Sequence, residues 1–158
     1  MDGQCTCGEI RYRLTQAPLF VHACHCTWCQ RETGSAFALN ALIETDAIAL
    51  LAGQPELIAT PSASGKGQDI ARCPRCHVAL WSHYAGGGRA FAFVRVGTLA
   101  HPEQCPPDIH IYTSTRLGWV ILDDRVPVVP GYYDRKQHWP EANLERRARA
   151  LARARGQG

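Results

Sequence analysis

Seven of the eight cysteines fall into three clusters, Cys5-x-Cys7, Cys24-x-Cys26-x-x-Cys29 and Cys73-x-x-Cys76, and Cys105 stands alone. Thiols spaced this closely form disulfides or bind metal. The opening residues Met1-Asp2-Gly3-Gln4-Cys5 carry neither a basic segment nor an apolar one, so a cytoplasmic location with reduced thiols is expected, and metal is the first explanation. Zinc takes four ligands in a tetrahedron, with Zn–S about 2.3 Å. A C-x-x-C turn brings two sulfurs onto one ion, and a C-x-C pair supplies two more where the strand bends, which Gly8 permits. Pairing Cys5 and Cys7 with Cys73 and Cys76 makes a closed site of four thiolates, the structural pattern. Cys24, Cys26 and Cys29 then form a second site with one position open, the pattern of reactive zinc. Two zinc ions per chain are therefore expected. Recruitment of Cys7, Cys105 or His25 by the second cluster is an alternative, and Cys105 reads most simply as a spare thiol.

Three thiolates leave such a zinc centre net negative and a weaker Lewis acid than one held by neutral histidines. A soft fourth ligand, such as a substrate thiolate, suits it. Attack of a thiol on a small electrophile is the expected chemistry, ahead of metal-assisted hydrolysis.

The elements that must position these groups are mostly short strands. Residues 9–14 alternate, with Ile10, Tyr12 and Leu14 on one face and Arg11 and Arg13 on the other, and residues 37–43 alternate similarly. Further strands are expected at 47–51, 78–83, 91–96, 109–113 and 119–122, separated by turns at 61–67, 85–88 and 101–108. Thr27 and Gln30 fit a capping box that starts a short helix ending at Gly34. A second helix is expected over 140–155, with Leu144, Ala148, Leu151 and Ala152 on one face and most arginines on the other. It reads as a solvated, weakly docked appendage, or alternatively as a binding helix for an acidic surface.

The 158 residues, 46% of them hydrophobic, suffice for one domain with a substantial core. Residues 1–138 are charge-neutral, and the formal excess of +3 comes from the arginines of 139–158. That distribution disfavours a nucleic-acid coat, and no stretch is apolar enough to span a membrane. The glycine runs at 65–67 and 86–88 lack P-loop spacing and read as turns.

The run from Gly3 to Tyr12, the run Cys24-His25-Cys26-Thr27-Trp28-Cys29-Gln30-Arg31 with Thr33-Gly34-Ser35, and Cys73-Pro74-Arg75-Cys76 with Leu80-Trp81 resemble the glutathione-dependent formaldehyde-activating family, which includes centromere protein V. Arg95-Val96-Gly97-Thr98-Leu99, His110-Ile111-Tyr112, Arg116 and Trp119 extend the resemblance over about residues 3–125. The resemblance implies a mainly β fold, a β-tent of small antiparallel sheets around a structural zinc. It implies a zinc domain over 1–138 and leaves 139–158 as a basic helical tail. It also implies structural zinc at Cys5, Cys7, Cys73 and Cys76, and a labile active-site zinc at Cys24, Cys26 and Cys29. The implied activity is that of a carbon–sulfur lyase joining glutathione to formaldehyde. Arg31, Arg95 and Arg116 are candidates to hold the carboxylates of such a thiol, and Trp28 to wall the open position. The chain departs from the family pattern at His77, where glycine is usual, at Glu32 and at Ala100. The reading from another class is a non-catalytic zinc module that binds a partner through the basic helix. A methionine sulfoxide reductase of the B type ranks lower, because Cys105 lies in a proline-rich loop.

Overall fold

The computed structural model describes residues 1–156. The chain is mainly β. Strands β1 (Asp2–Gln4), β2 (Arg11–Leu14) and β5 (Ile48–Ala52) form a three-stranded antiparallel sheet in the order β1-β2-β5. A seven-stranded sheet is built from β3 (Phe20–Cys24), β4 (Ala38–Glu44), β6 (Glu56–Thr60), β7 (Gln68–Arg72), β8 (Ala79–Tyr84), β9 (Phe91–Arg95) and β10 (Ile109–Ile111). Its order is β10-β3-β4-β9-β8-β7-β6, and it is mixed because β10 joins β3 in parallel. Helix α1 (Thr27–Thr33) follows β3, and α2 (Arg135–His138) and α3 (Glu141–Gly156) end the described chain. Among the described residues no helix is long and apolar enough to cross a membrane.

The centre of the large sheet, at β3, β4 and β9, is covered on both faces, and the two coverings differ in chemistry. Val21, Ala41, Ile43, Ala92 and Val94 meet Ile10, Tyr12 and Leu14 of the small sheet in one apolar core. The opposite face carries Phe20, Cys24, Ala38, Leu42 and Phe91, which pack with Ile111, Tyr133, Trp139 and Ala150 in a second core. Double-sided burial puts all five residues of β3 inside, four of them apolar and His22 hydrogen-bonded, so the period-2 signal that marks β2 is lost there. Segment 119–122 forms no strand. Trp119 and Ile121 are exposed, the Arg116 guanidinium binds the Val120 carbonyl, and the outer edge of β10 bridges to Val128 instead.

The C-terminal helices are fastened to the second face. Trp139 stacks on Phe20 with centroids 5.4 Å apart, and its indole donates to the Tyr133 hydroxyl at 2.7 Å, which also meets His22 Nε2 at 2.7 Å. Asn143 Nδ2 donates to the Leu19 carbonyl at 2.7 Å. The inner face of α3 is not the all-alkyl stripe expected from the sequence. Ala148 and Ala152 are exposed, whereas Arg146 and Arg147 turn inward beside Leu144, Ala150 and Leu151. Glu44 accounts for half of this difference: it is only 3% exposed at the end of β4 and needs a cation, which Arg146 supplies at 2.7 Å.

Removing Arg146 leaves the buried Glu44 carboxylate without its partner, so Arg146→Ala is expected to cost about 1–3 kcal/mol in urea unfolding. Arg149, paired with Glu145 on the exposed side, is the control: Arg149→Ala is expected to stay within about 0.5 kcal/mol. Equal effects from the two variants would show that α3 is not anchored through Glu44.

Candidate active site

Two groups of cysteines converge from separated parts of the chain. The sulfurs of Cys5, Cys7, Cys73 and Cys76 all lie within 4.8 Å of one another, as do those of Cys24, Cys26 and Cys29. A tetrahedron with Zn–S of about 2.3 Å requires sulfurs about 3.8 Å apart. The measured Cys5–Cys7 and Cys7–Cys73 separations are 3.5 Å and 3.7 Å. Amides support the sulfurs: Ile10 N donates to Cys5 Sγ at 3.3 Å, Cys76 N to Cys73 Sγ at 3.5 Å, and Cys29 N to Cys26 Sγ at 3.4 Å. All-thiol donor sets with this spacing can hold metal ions.

The C-x-x-C turn closes through a left-handed residue. His77 N bonds to the Cys73 carbonyl at 2.9 Å, and His77 has φ of 59°. The departure from glycine at this position is thus a residue held in the conformation that glycine adopts most easily.

At the second cluster, α1 is capped by Cys26 rather than by Thr27, because the Cys26 sulfur takes the free amide of Cys29. Gln30 donates to the carbonyls of His25 and Thr115, which pins the helix to the segment after β10. Gly34 ends the helix with φ of 63°. His25 turns to His110, with Nε2 and Nδ1 2.9 Å apart, and lies against Phe37. Cys105 is buried, 3.6 Å from the Met1 sulfur, and belongs to neither cluster.

The three-sulfur cluster opens into a cavity of about 450 Å³ on the second face of the large sheet. The register explains its floor: His22 faces Asn40, Asn40 faces Arg95, and Cys24 faces Ala38, so these side chains share one surface. Arg95 is held flat by Asn40 Oδ1 and by Ser82 Oγ at 2.9 Å, and its buried Nε has no partner. Burial raises the Tyr84 phenol, and the nearby Cys29 charge raises it further; burial likewise raises Tyr112. Hydrogen bonding with Cys24 and then Cys29 draws the Cys26 thiol well down, while the same contacts push Cys24 up.

Of the residues singled out from the sequence as substrate contacts, Arg95 and Trp28 line the cavity. Arg31 is exposed and outside the lining, and Arg116 is turned to the Val120 carbonyl. Lys66, Gly86 and Gly87 line the rim, although the sequence marks them only as turns. Tyr112, which lies in one of the motifs that carry the resemblance, also lines it, as do Tyr84, Tyr132, Arg135 and Arg147, which no local motif signals.

The chain belongs to the family described as glutathione-dependent formaldehyde-activating enzyme, whose model matches residues 1–115. Membership supports a function related to glutathione and to formaldehyde activation. A crystal structure of a Rhodobacter sphaeroides protein is similar at a TM-score of 0.48 and 17% identity, covering 82% of this chain and 100% of that one. A search of curated proteins returns no match.

The strained turn gives a direct test. His77→Val, which places a β-branched residue at positive φ, is expected to destabilise the protein by about 1–2 kcal/mol, whereas His77→Gly stays neutral or gains up to about 1 kcal/mol. Thermal unfolding in which valine matches glycine would contradict the strain.

Proposed function

We propose that the protein is a zinc-dependent carbon–sulfur lyase that joins a glutathione-like thiol to formaldehyde or another small aldehyde, or cleaves the resulting S-hydroxyalkyl adduct. The observation that carries this reading is the three-sulfur cluster lining a cavity, in a chain whose second cluster has four thiols of its own. Cys5, Cys7, Cys73 and Cys76 hold a structural zinc, and Cys24, Cys26 and Cys29 hold the labile one, two ions per chain. When bound there, zinc supplies a soft Lewis acid that favours the thiolate form of a substrate sulfur.

The chain's own groups do the rest. Arg95 lies under the cluster, fixed by Asn40 and Ser82, and its positive charge offsets the crowding of sulfurs beside Cys29. Trp28 and Phe93 line the cavity beside the reacting atoms. Carbon–sulfur bond formation sends the carbonyl electron pair to oxygen, which takes up the proton that the thiol has lost. No oxidant or reductant is consumed. Tyr84 and Tyr112 stay protonated and line the same cavity, so either hydroxyl can donate to that oxygen. Orientation of the two reactants in one cavity supplies the remaining advantage over solution.

The reading of a non-catalytic module on the basic helix gains no support from the contacts of α3. Arg146 and Arg153 are engaged with Glu44 and Asp46 of the same chain, and Arg147 lies over the Phe91 ring.

Exchange NMR on labelled formaldehyde with glutathione tests the activity against a protein-free blank. Native protein is expected to accelerate exchange, and Cys26→Ser to remain folded, retain one zinc and return the rate to the blank. Cys73→Ser is expected to lose the structural ion and unfold. Two zincs retained in both variants would overturn the assignment of ligands, and an unaccelerated native rate with glutathione and other thiols would overturn the reaction.

A further inference from the structure

The helix arginines divide sharply by partner. Arg146, Arg149 and Arg153 are each paired with a carboxylate, and their side chains lie away from the cavity lining. Arg135 and Arg147 both line the cavity, and neither makes a salt bridge or a side-chain hydrogen bond among the described residues. Arg147 is half-buried over Phe91, 5.6 Å from the ring centroid. Burial and then the charge of Arg135 push its pKa down, so two uncompensated cations face one space. Two guanidinium groups crowded together without an acid are electrostatically costly, and a bound anion relieves that cost.

The carboxylate that the lining does contain, Glu32, does not serve this purpose, because it is taken by Arg72. A second polar group lacks its complement. Gln68 Oε1 is buried on the cavity wall with no donor. The cavity thus offers three sulfurs at one place, a fork of cationic donors at another and a free acceptor between strands, a pattern that matches a thiol bearing a carboxylate and an N–H group. Arg135 and Arg147 both fall after residue 115, where the family match ends.

We propose that Arg135 and Arg147 form a carboxylate-binding end of the cavity, and that selectivity for a carboxylated thiol over a neutral one is set by α2 and α3 rather than by the family-matched segment. The proposal rests on the thiol–aldehyde reading for the identity of the ligand's sulfur end. Its carboxylate end can be tested without that reading, because a blocked thiol retains the carboxylates.

The test is calorimetric binding of S-methylglutathione and of its dimethyl ester to the full-length, zinc-loaded protein. Native protein is expected to prefer the free acid. Arg135→Gln and Arg147→Gln are each expected to weaken the acid about ten- to a hundred-fold and to leave the diester unchanged. Arg147→Lys, which keeps charge and helix packing but loses the fork, is expected to fall between. Circular dichroism of each variant checks that α3 stays docked. Equal affinity of the native protein for acid and diester, or equal losses of both in the variants, would overturn the proposal. If no thiol is accelerated in exchange NMR while the acid–diester discrimination persists, the carboxylate site stands and the thiol–aldehyde reading falls. If a neutral thiol is accelerated as well as glutathione, the carboxylate site falls and the reading stands.

Discussion

Seven sulfurs are packed into two groups, each with its atoms within 4.8 Å of one another, and this crowding is the constraint on which the structure turns. Thiolates at such spacing repel, and protonated thiols offer only weak hydrogen bonds in return. A cation in each group reverses the sign of the interaction and makes it a source of folding energy. The four-sulfur group joins the segment after β1 to the turn between β7 and β8, two regions that also meet in the first apolar core. The three-sulfur group instead lies between the end of β3 and the first turn of α1, where the large sheet gives way to a cavity.

The sheet converts that constraint into a site. Because β3, β4 and β9 are covered on both faces, any polar side chain on them must find an internal partner. His22 finds Tyr133, and Arg95 finds Asn40 and Ser82. These bonds fix the cavity floor, and Trp139 and Asn143 fasten the C-terminal helices over its far side. Much of the cavity is therefore built by residues remote from the cysteines.

Legibility from sequence followed the type of signal. Cysteine spacing is local and chemically distinctive, so both ligand groups could be read directly. Strand β2 alternates because only one face is buried, and it too was plain. Strand β3 was not, since double-sided burial erases alternation, and the exposed β6 shows little pattern for the opposite reason. The apolar run at 119–122 looked like a strand but has no edge to pair with. Arg31 and Arg116 stood close to motifs in sequence, yet closeness in sequence says little about which face a side chain takes. Arg135 and Arg147 lie far from every motif and reach the cavity through the docking of α2 and α3 at Trp139, Asn143 and Arg146. The inward turn of Arg146 depended on Glu44, a buried carboxylate that composition alone does not reveal.

The central claim is that one sulfur group is complete and the other has room for a substrate sulfur. X-ray absorption at the zinc edge of the purified protein measures this directly. The account predicts two zinc ions sharing the seven cysteine sulfurs, with an eighth sulfur appearing when glutathione is added and lost again on washing. A sulfur count unchanged by thiol, with both ions bound, would contradict it.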